Sequence, residues 1–280
     1  MTSILTNNGA MVALQTLKSI NSNLETTQNE ISTGKKVGSA KDNSAIWAIS
    51  KVMESDVSGF KAVKDSLSLG ESTVSVASAG AEQIVDVLNE MKELAISAHS
   101  ENVDHGKIEA TLAKKREQIQ AIIGSSQFNG TNLLKTDTDG NGSTGLTVVS
   151  SLDRTGAGAP ATSTITVASA DFETNVDTTG ATAITDKASA ATALTEIEGW
   201  LTKAVEGASS LGAAAARISD QSEFIGRLSD TMEMGIGSLV DADMEESSAR
   251  LKALQTQQQL GVQSLSIANQ APGAIMSLFR

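Results

Sequence analysis

The 280-residue chain contains no cysteine. That excludes disulfides, thiolate metal sites and cysteine nucleophiles, and it leaves the redox compartment open. Aromatic residues are nearly as scarce, with five Phe, two Trp and no Tyr. Aromatics dominate the energetics of thick cores and buried pockets. The apolar 40% of this chain is mostly Ala, Leu, Ile, Val and Met instead, which suits thin, repetitive seams between helices. Only two prolines occur, so long helices can run unbroken. Basic charge is short too: 21 Lys and Arg against 33 Asp and Glu leave a net charge of −12. No face can then neutralise phosphates on balance, and nucleic acid is not an expected partner. No run reaches the ~18 uninterrupted apolar residues of a membrane span, so no membrane association is expected. The opening "MTSILTNNGAMVALQTLKSI" lacks a basic head, apolar block and cleavage site, and no signal peptide is read there. These features alone point to the cytosol.

What the chain does have is a 3,4 alternation of apolar positions, the seam of packed helices. It runs Ile46, Ile49, Met53, Asp56, Phe60, Val63, Leu67, Gly70, Val74, Ala77, Ala81, Ile84, Leu88, Met91, Ala95 and Ala98, interrupted only by Asp56 and Gly70. A helix of that length would extend about 80 Å, which argues for a coiled coil. A second seam answers it: Leu194, Ile197, Leu201, Ala204, Ala208, Leu211, Ala215, Ile218, Ser222, Ile225, Ser229, Met232, Ile236 and Leu239. Between them a shorter helix carries Ile108, Leu112, Ile119 and Ile122 after the break "HSENVDHGK", with room to fold back antiparallel.

Each end carries a weaker seam. One steps through Ala10, Leu14, Leu17, Asn21, Leu24, Gln28 and Ile31; the other through Leu251, Leu254, Gln258, Gly261, Leu265, Ala268, Pro272 and Ile275. Asn21, Gln28 and Gln258 read as buried amides, which lower stability but fix register. Such helices are marginal alone. Pro272 is expected to end the last helix near Ala271, with Ile275, Leu278 and Phe279 forming a short final turn. The middle, residues 135–186, is rich in Gly, Thr, Ser and Asp, with β-type runs at Leu146–Val149 and Thr164–Val167 that predict one or two hairpins or an exposed loop.

Candidate chemistry is thin. "DTDGNG" supplies Asp137, Asp139 and Asn141 with Gly142 in the first half of a calcium loop, but the closing acid is replaced by Val148. A Gly-rich turn is the simpler reading. His99 and His105 flank a helix break without a third ligand in register. "STGKKVGS" lacks the lysine placed directly after the second glycine of a phosphate-cradling loop. No histidine is placed to activate a Ser or Thr, so no enzyme, cofactor or metal is read. Trp47 and Trp200 lie within periodic helices, where packing explains them. Thin helical seams leave long apolar flanks, and regular apolar flanks predict partner helices. For an acidic chain without a ligand site the simplest partner is another copy, joined head-to-tail into a helical polymer.

The two ends carry a resemblance. "MTSILTNNGAMVALQTLKSINSNLETTQNEISTGKKVGSAKDNSA", "ELAISA", "SQFNGTNLL" and "DADMEESSARLKALQTQQQLGVQSLSIANQAPGAIMSLFR" are similar to the terminal regions of bacterial flagellin. The likeness covers roughly residues 1–135 and 190–280 and is nearest to flagellins of alphaproteobacteria. It implies a mainly α, elongated antiparallel coiled-coil or bundle rod with a small β-hairpin element mid-chain. The implied domains are 1–43 with 239–280 as the inner, filament-core domain, 44–134 with 187–238 as the rod domain, and 135–186 in place of large outer domains.

By the same resemblance the chain is a filament subunit that travels unfolded through the hollow flagellum and folds at its tip, outside the cell. That overturns the cytosolic reading. Implied partners are further copies of itself, the export apparatus, an export chaperone, and cap and junction proteins. The inner core would be built by Leu14, Leu17, Leu24, Ile31, Leu251, Leu254, Leu265, Ile275, Leu278 and Phe279. The rod seam would be Phe60, Val63, Leu67, Val74, Ile84, Leu88, Met91, Leu201, Leu211, Ile218, Ile225 and Met232. Two departures stand out: Glu30 where the segment sensed by plant receptors usually has a basic residue, and Glu90 where the segment contacted by the vertebrate receptor often has arginine. Two alternatives stay open. A hook–filament junction protein shares the terminal patterns, and a surface adhesin could borrow the fold.

Overall fold

The computed structural model describes residues 7–154 and 160–277, with side chains as far as residue 270. The described residues are mostly helical: α1 (Asn8–Thr33), α2 (Ser44–Ala98), α3 (His105–Ser125), the four-residue α4 (Phe172–Asn175), α5 (Lys187–Val240) and α6 (Met244–Ser277). Two strands, β1 (Gly145–Asp153) and β2 (Ala161–Ala168), pair antiparallel as one small sheet. This is the mainly α fold with a mid-chain hairpin expected from the sequence. The chain divides into two compact units, Ser58–Asp230 and Met1–Val57 with Thr231–Arg280.

In the Ser58–Asp230 unit both heptad series of α2 are buried. Phe60, Leu67, Val74, Ala81, Leu88 and Ala95 form one, and Val63, Ala77, Ile84, Met91 and Ala98 form the other. Both are covered because α2 has neighbours on several sides. Its Lys92 pairs with Glu198 of α5 at 3.1 Å, and its Glu90 pairs with Lys115 of α3. On α5 the fully buried series has a spacing of seven: Ala190, Ile197, Ala204, Leu211, Ile218 and Ile225. Leu201 and Met232, placed in the same seam, are half-buried. The seam's last step needs correction. Leu239 is exposed, and its neighbour Val240 is the buried residue.

The hairpin explains two of the three glycines of α2, Gly59 and Gly70. A Cβ at Gly70 would stand 2.5 Å from Cγ2 of Val148, and one at Gly59 would stand 2.9 Å from Cδ1 of Leu152. Gly70 therefore continues the seam where β1 crosses close to the helix. A bulge between Val149 and Ser151 takes Ser150 out of the ladder, and the freed Ser150 carbonyl accepts from Nε2 of Gln221 on α5 at 2.9 Å. The segment before α5 is held by two acids. Glu109 accepts from the Ile184 N–H while pairing with Arg116, and Glu196 accepts from the N–H and hydroxyl of Thr182.

Side chains cap the helices. Asp104 accepts from the Lys107 N–H at the start of α3, and Asp243 accepts from the Glu245 and Glu246 N–H groups at the start of α6. His105 does not stay in the loop between α2 and α3. It opens α3, and its Nε2–H donates to the terminal Ala98 carbonyl of α2 at 2.9 Å.

The end of α6 departs from expectation. The helix does not stop near Ala271 but continues through Pro272 to Ser277. Proline inside a helix removes one backbone donor, and the carbonyl deprived of it finds another partner, described below. Leu278 and Phe279, and the side chain of Ile275, lie outside the described residues.

Candidate functional site

The candidate site is the pairing of α1 with α6 in the unit formed by the two chain ends. The helices run antiparallel. Asn7 meets Ala268, Leu17 faces Gly261, and Asn21 meets Gln258. A Cβ at Gly261 would sit 3.1 Å from Cδ1 of Leu17, so this glycine sets a close approach. At the far end of the pair, the Lys36 and Val37 N–H groups donate to the Val240 carbonyl, and the Ala242 N–H donates to the Gly34 carbonyl. Gly34 sits at φ 70°, the left-handed conformation that lets α1 stop and the chain turn. Beyond it Asp42 accepts from Gly38 and Ser39, bonds that hold its carboxyl below the usual range.

The face that α1 buries keeps Leu17, Leu24 and Ile31 of the expected seam but shifts its alternate steps by one residue. Ile20 and Thr27 are its buried residues, seven apart. Asn21 and Gln28, read as buried amides, are exposed. Asn21 still serves as a register contact, because its Oδ1 accepts from Nε2 of the half-buried Gln258 at 2.7 Å. Ile20 was legible as an apolar residue, but Thr27 carries no apolar signal. Of the proposed core residues, Leu254 is buried, while Leu17, Leu24, Ile31, Leu251 and Leu265 are half-buried. Leu14 is 45% exposed.

A substantial apolar surface stays uncovered in this single chain. Met11, Val12 and Leu14 line an open groove on α1, and Leu260, Val262 and Ile267 are exposed on α6. Soluble monomers rarely leave such contiguous apolar faces to water, and these faces mark contact sites for other chains.

Elsewhere the sequence candidates resolve into structure. The "DTDGNG" segment closes on itself. The Asn141 N–H, the Ser143 hydroxyl and the Ser143 N–H donate to Asp139 and hold its pKa down to about 2. Its acidic oxygens are thus engaged within a turn, while Val148 is buried in β1. Glu90, on α2, is exposed and paired with Lys115. Glu30, on α1, is half-buried.

Two terminal helices that pair with each other and leave apolar residues exposed fit a structural protein whose copies meet one another. Comparison with known proteins makes that class specific. Residues 4–139 match the bacterial flagellin N-terminal helical region and residues 194–279 match the bacterial flagellin C-terminal helical region. A flagellin of Brucella melitensis is 42% identical over 287 residues, covering 100% of both chains. Flagellin FljK of Caulobacter vibrioides is 40% identical over 283 residues, covering 100% of this chain and 99% of its own. Flagellin A of Rhizobium meliloti is 33% identical over 396 residues, again covering 100% of both. The chain belongs to the bacterial flagellin family. It is a structural subunit of the flagellar filament, and the family implies self-assembly into an extracellular polymer.

Proposed function

We propose that the α1·α6 pair is the innermost, filament-lining domain, and that the subunit is exported unfolded and folds into place at the growing tip. In this reading residues 1–43 and 239–280 form the inner domain, residues 44–134 and 187–238 the domain outside it, and residues 135–186 a small outer element. Leu14, Leu17, Leu24, Ile31, Leu251, Leu254, Leu265, Ile275, Leu278 and Phe279 belong to the core formed between copies. The observation that carries the reading is the exposure of Met11, Val12, Leu260 and Ile267 on helices whose other face is already paired. Their cover arrives from neighbouring subunits, and the ordering of marginal ends is coupled to that contact. An export chaperone, the export apparatus, and cap and junction proteins are the transit and assembly partners of such a subunit. The absence of thiols suits the route, because nothing cross-links in transit.

Electron microscopy of the purified protein, with and without filament seeds, tests this. Filaments are expected, and they should form more readily as salt rises, since each subunit carries a net charge of −12. Failure of seeded protein to elongate at any ionic strength would remove the reading.

Glu30 and Glu90 carry a second proposal: weak recognition by the plant and vertebrate receptors that sense these segments. A reversed charge at a contact lowers affinity, and the Glu90 carboxylate is already engaged by Lys115. Glu90→Arg is expected to raise vertebrate receptor-reporter activation, and Glu30→Arg the plant response, each by about tenfold, which corresponds to about 1.4 kcal/mol. Full-strength activation by the unsubstituted protein would refute it.

A further inference from the structure

Pro272 lies within α6, four residues after Ala268. In a helix the N–H of residue 272 would donate to the carbonyl of residue 268, and proline has none. That same carbonyl accepts a hydrogen bond from Nδ2 of Asn7 at 2.7 Å. Asn7 is also the N-cap of α1. Its Oδ1 accepts from the Ala10 N–H at 3.1 Å, and its own carbonyl accepts from the Met11 N–H at 3.1 Å. One carboxamide therefore uses its oxygen to start the first helix and its nitrogen to repair the last. A Cβ at Gly9 would meet that of Ala268 at 4.0 Å, an ordinary contact, so the approach of the two helices does not depend on this glycine.

We propose that Asn7 and Pro272 act together as a register latch: Pro272 leaves a helix carbonyl in need of a donor, and the Asn7 amide supplies it only when α1 and α6 are in the native alignment. The physical basis is selectivity. A carbonyl satisfied within its own helix is indifferent to the position of its neighbour. One stripped of its donor favours the single register that brings an N–H to it, because an unmade bond costs more than a made bond contributes. Asn21 and Gln258 form a second polar contact along the same pair, joined by side chains alone. Two fixed points leave no room for α6 to slide by a turn. Asn7 is thus a positioning residue for assembly, and its role there rests on the filament reading above.

The test is a double-mutant cycle on the full-length chain. Asn7→Ser keeps a neutral oxygen for the N-cap but loses the amide donor, and its hydroxyl is too short to reach the Ala268 carbonyl. Pro272→Ala returns the helix N–H to Ala268. Hydrogen exchange of the α6 amides around residues 264–270 is read in the monomer and after seeding. Asn7→Ser is expected to speed exchange about fivefold in the Pro272 chain, the scale of one net hydrogen bond, and less than about twofold in the Pro272→Ala chain. Rescue by an alanine far along the sequence is not expected of a residue that only caps α1. Equal effects in both backgrounds overturn the latch, and so does an unprotected α6 end in both states of the unsubstituted chain. Absence of filaments from the unsubstituted chain counts separately, against the filament reading, and leaves the latch to be decided by exchange in the monomer alone.

Discussion

A chain lacking residues 251–280 is expected to stay folded and soluble and to form no filaments. The deletion removes Leu254, the buried leucine of α6, together with the half-buried Leu251 and Leu265. Ile20 and Thr27 on α1 lose the face that covers them. Each buried leucine or isoleucine contributes roughly 1.5–3 kcal/mol when shielded from water. An isolated helix the length of α1 is marginal without such packing, and α1 is rich in Ser, Thr and Asn, which are weak helix formers. The end unit should therefore melt. The Ser58–Asp230 unit loses none of its residues and keeps its heptad seams. Circular dichroism should show a helical protein with one cooperative transition, and electron microscopy should show no polymer. Normal filaments from this truncation would refute the inner-core assignment.

The second large effect concerns glycines of α5, where identical substitutions should act with opposite sign. A Cβ at Gly207 would lie 2.3 Å from Cε1 and 2.7 Å from Cζ of Phe172. Phe172 is 0% exposed and has nowhere to withdraw. Gly207→Ala gains helix propensity of about 1 kcal/mol but forces overpacking that costs about 1–3 kcal/mol. The clash wins because the contact falls far inside van der Waals distance, and the variant should melt several degrees lower. At Gly199 and Gly212 no atom stands within 4 Å of the added Cβ. Alanine at either position should stabilise the monomer by about 0.5–1 kcal/mol, through propensity and a less flexible unfolded chain. Thermal melts of the three variants decide the matter. A Gly207→Ala protein as stable as the parent would mean that Phe172 does not pack against α5.

Legibility in this chain followed the strength of the periodic signal. The seams of α2 from Phe60 onward and of α5 could be read almost residue by residue, because a buried heptad repeated over many turns admits one phase. Before Phe60 the expected Ile49 is exposed and Ser50 is buried instead. The helix-to-hairpin order and the family resemblance were equally plain. On α1 the alternate steps Asn21 and Gln28 were read one residue late, beside the buried Ile20 and Thr27, whereas Leu17, Leu24 and Ile31 share the covered side. A polar residue such as Thr27 is buried by its position on a face. Few apolar residues were present to set that face. Leu239 yielded to Val240 for a related reason: the helix ends there, and the chain turns on the Val240 carbonyl.

By itself the sequence determined the mainly helical class, the long paired seams, the mid-chain β element and the identity of the family. The first three follow from local periodicity and composition, and the family from the resemblance of the two terminal segments; none of them needs knowledge of which distant residues meet. Only the tertiary structure decided why Gly70 and Gly207 must be glycine, since the answers are Val148 and Phe172. The fate of Pro272 was decided the same way. Taken locally, proline argues for a helix end, yet α6 continues through it, and Asn7, 261 residues away from Ala268 in sequence, donates to the carbonyl that Pro272 leaves without its helix partner. A hydrogen bond between the two ends of the chain leaves no mark in the periodicity of either.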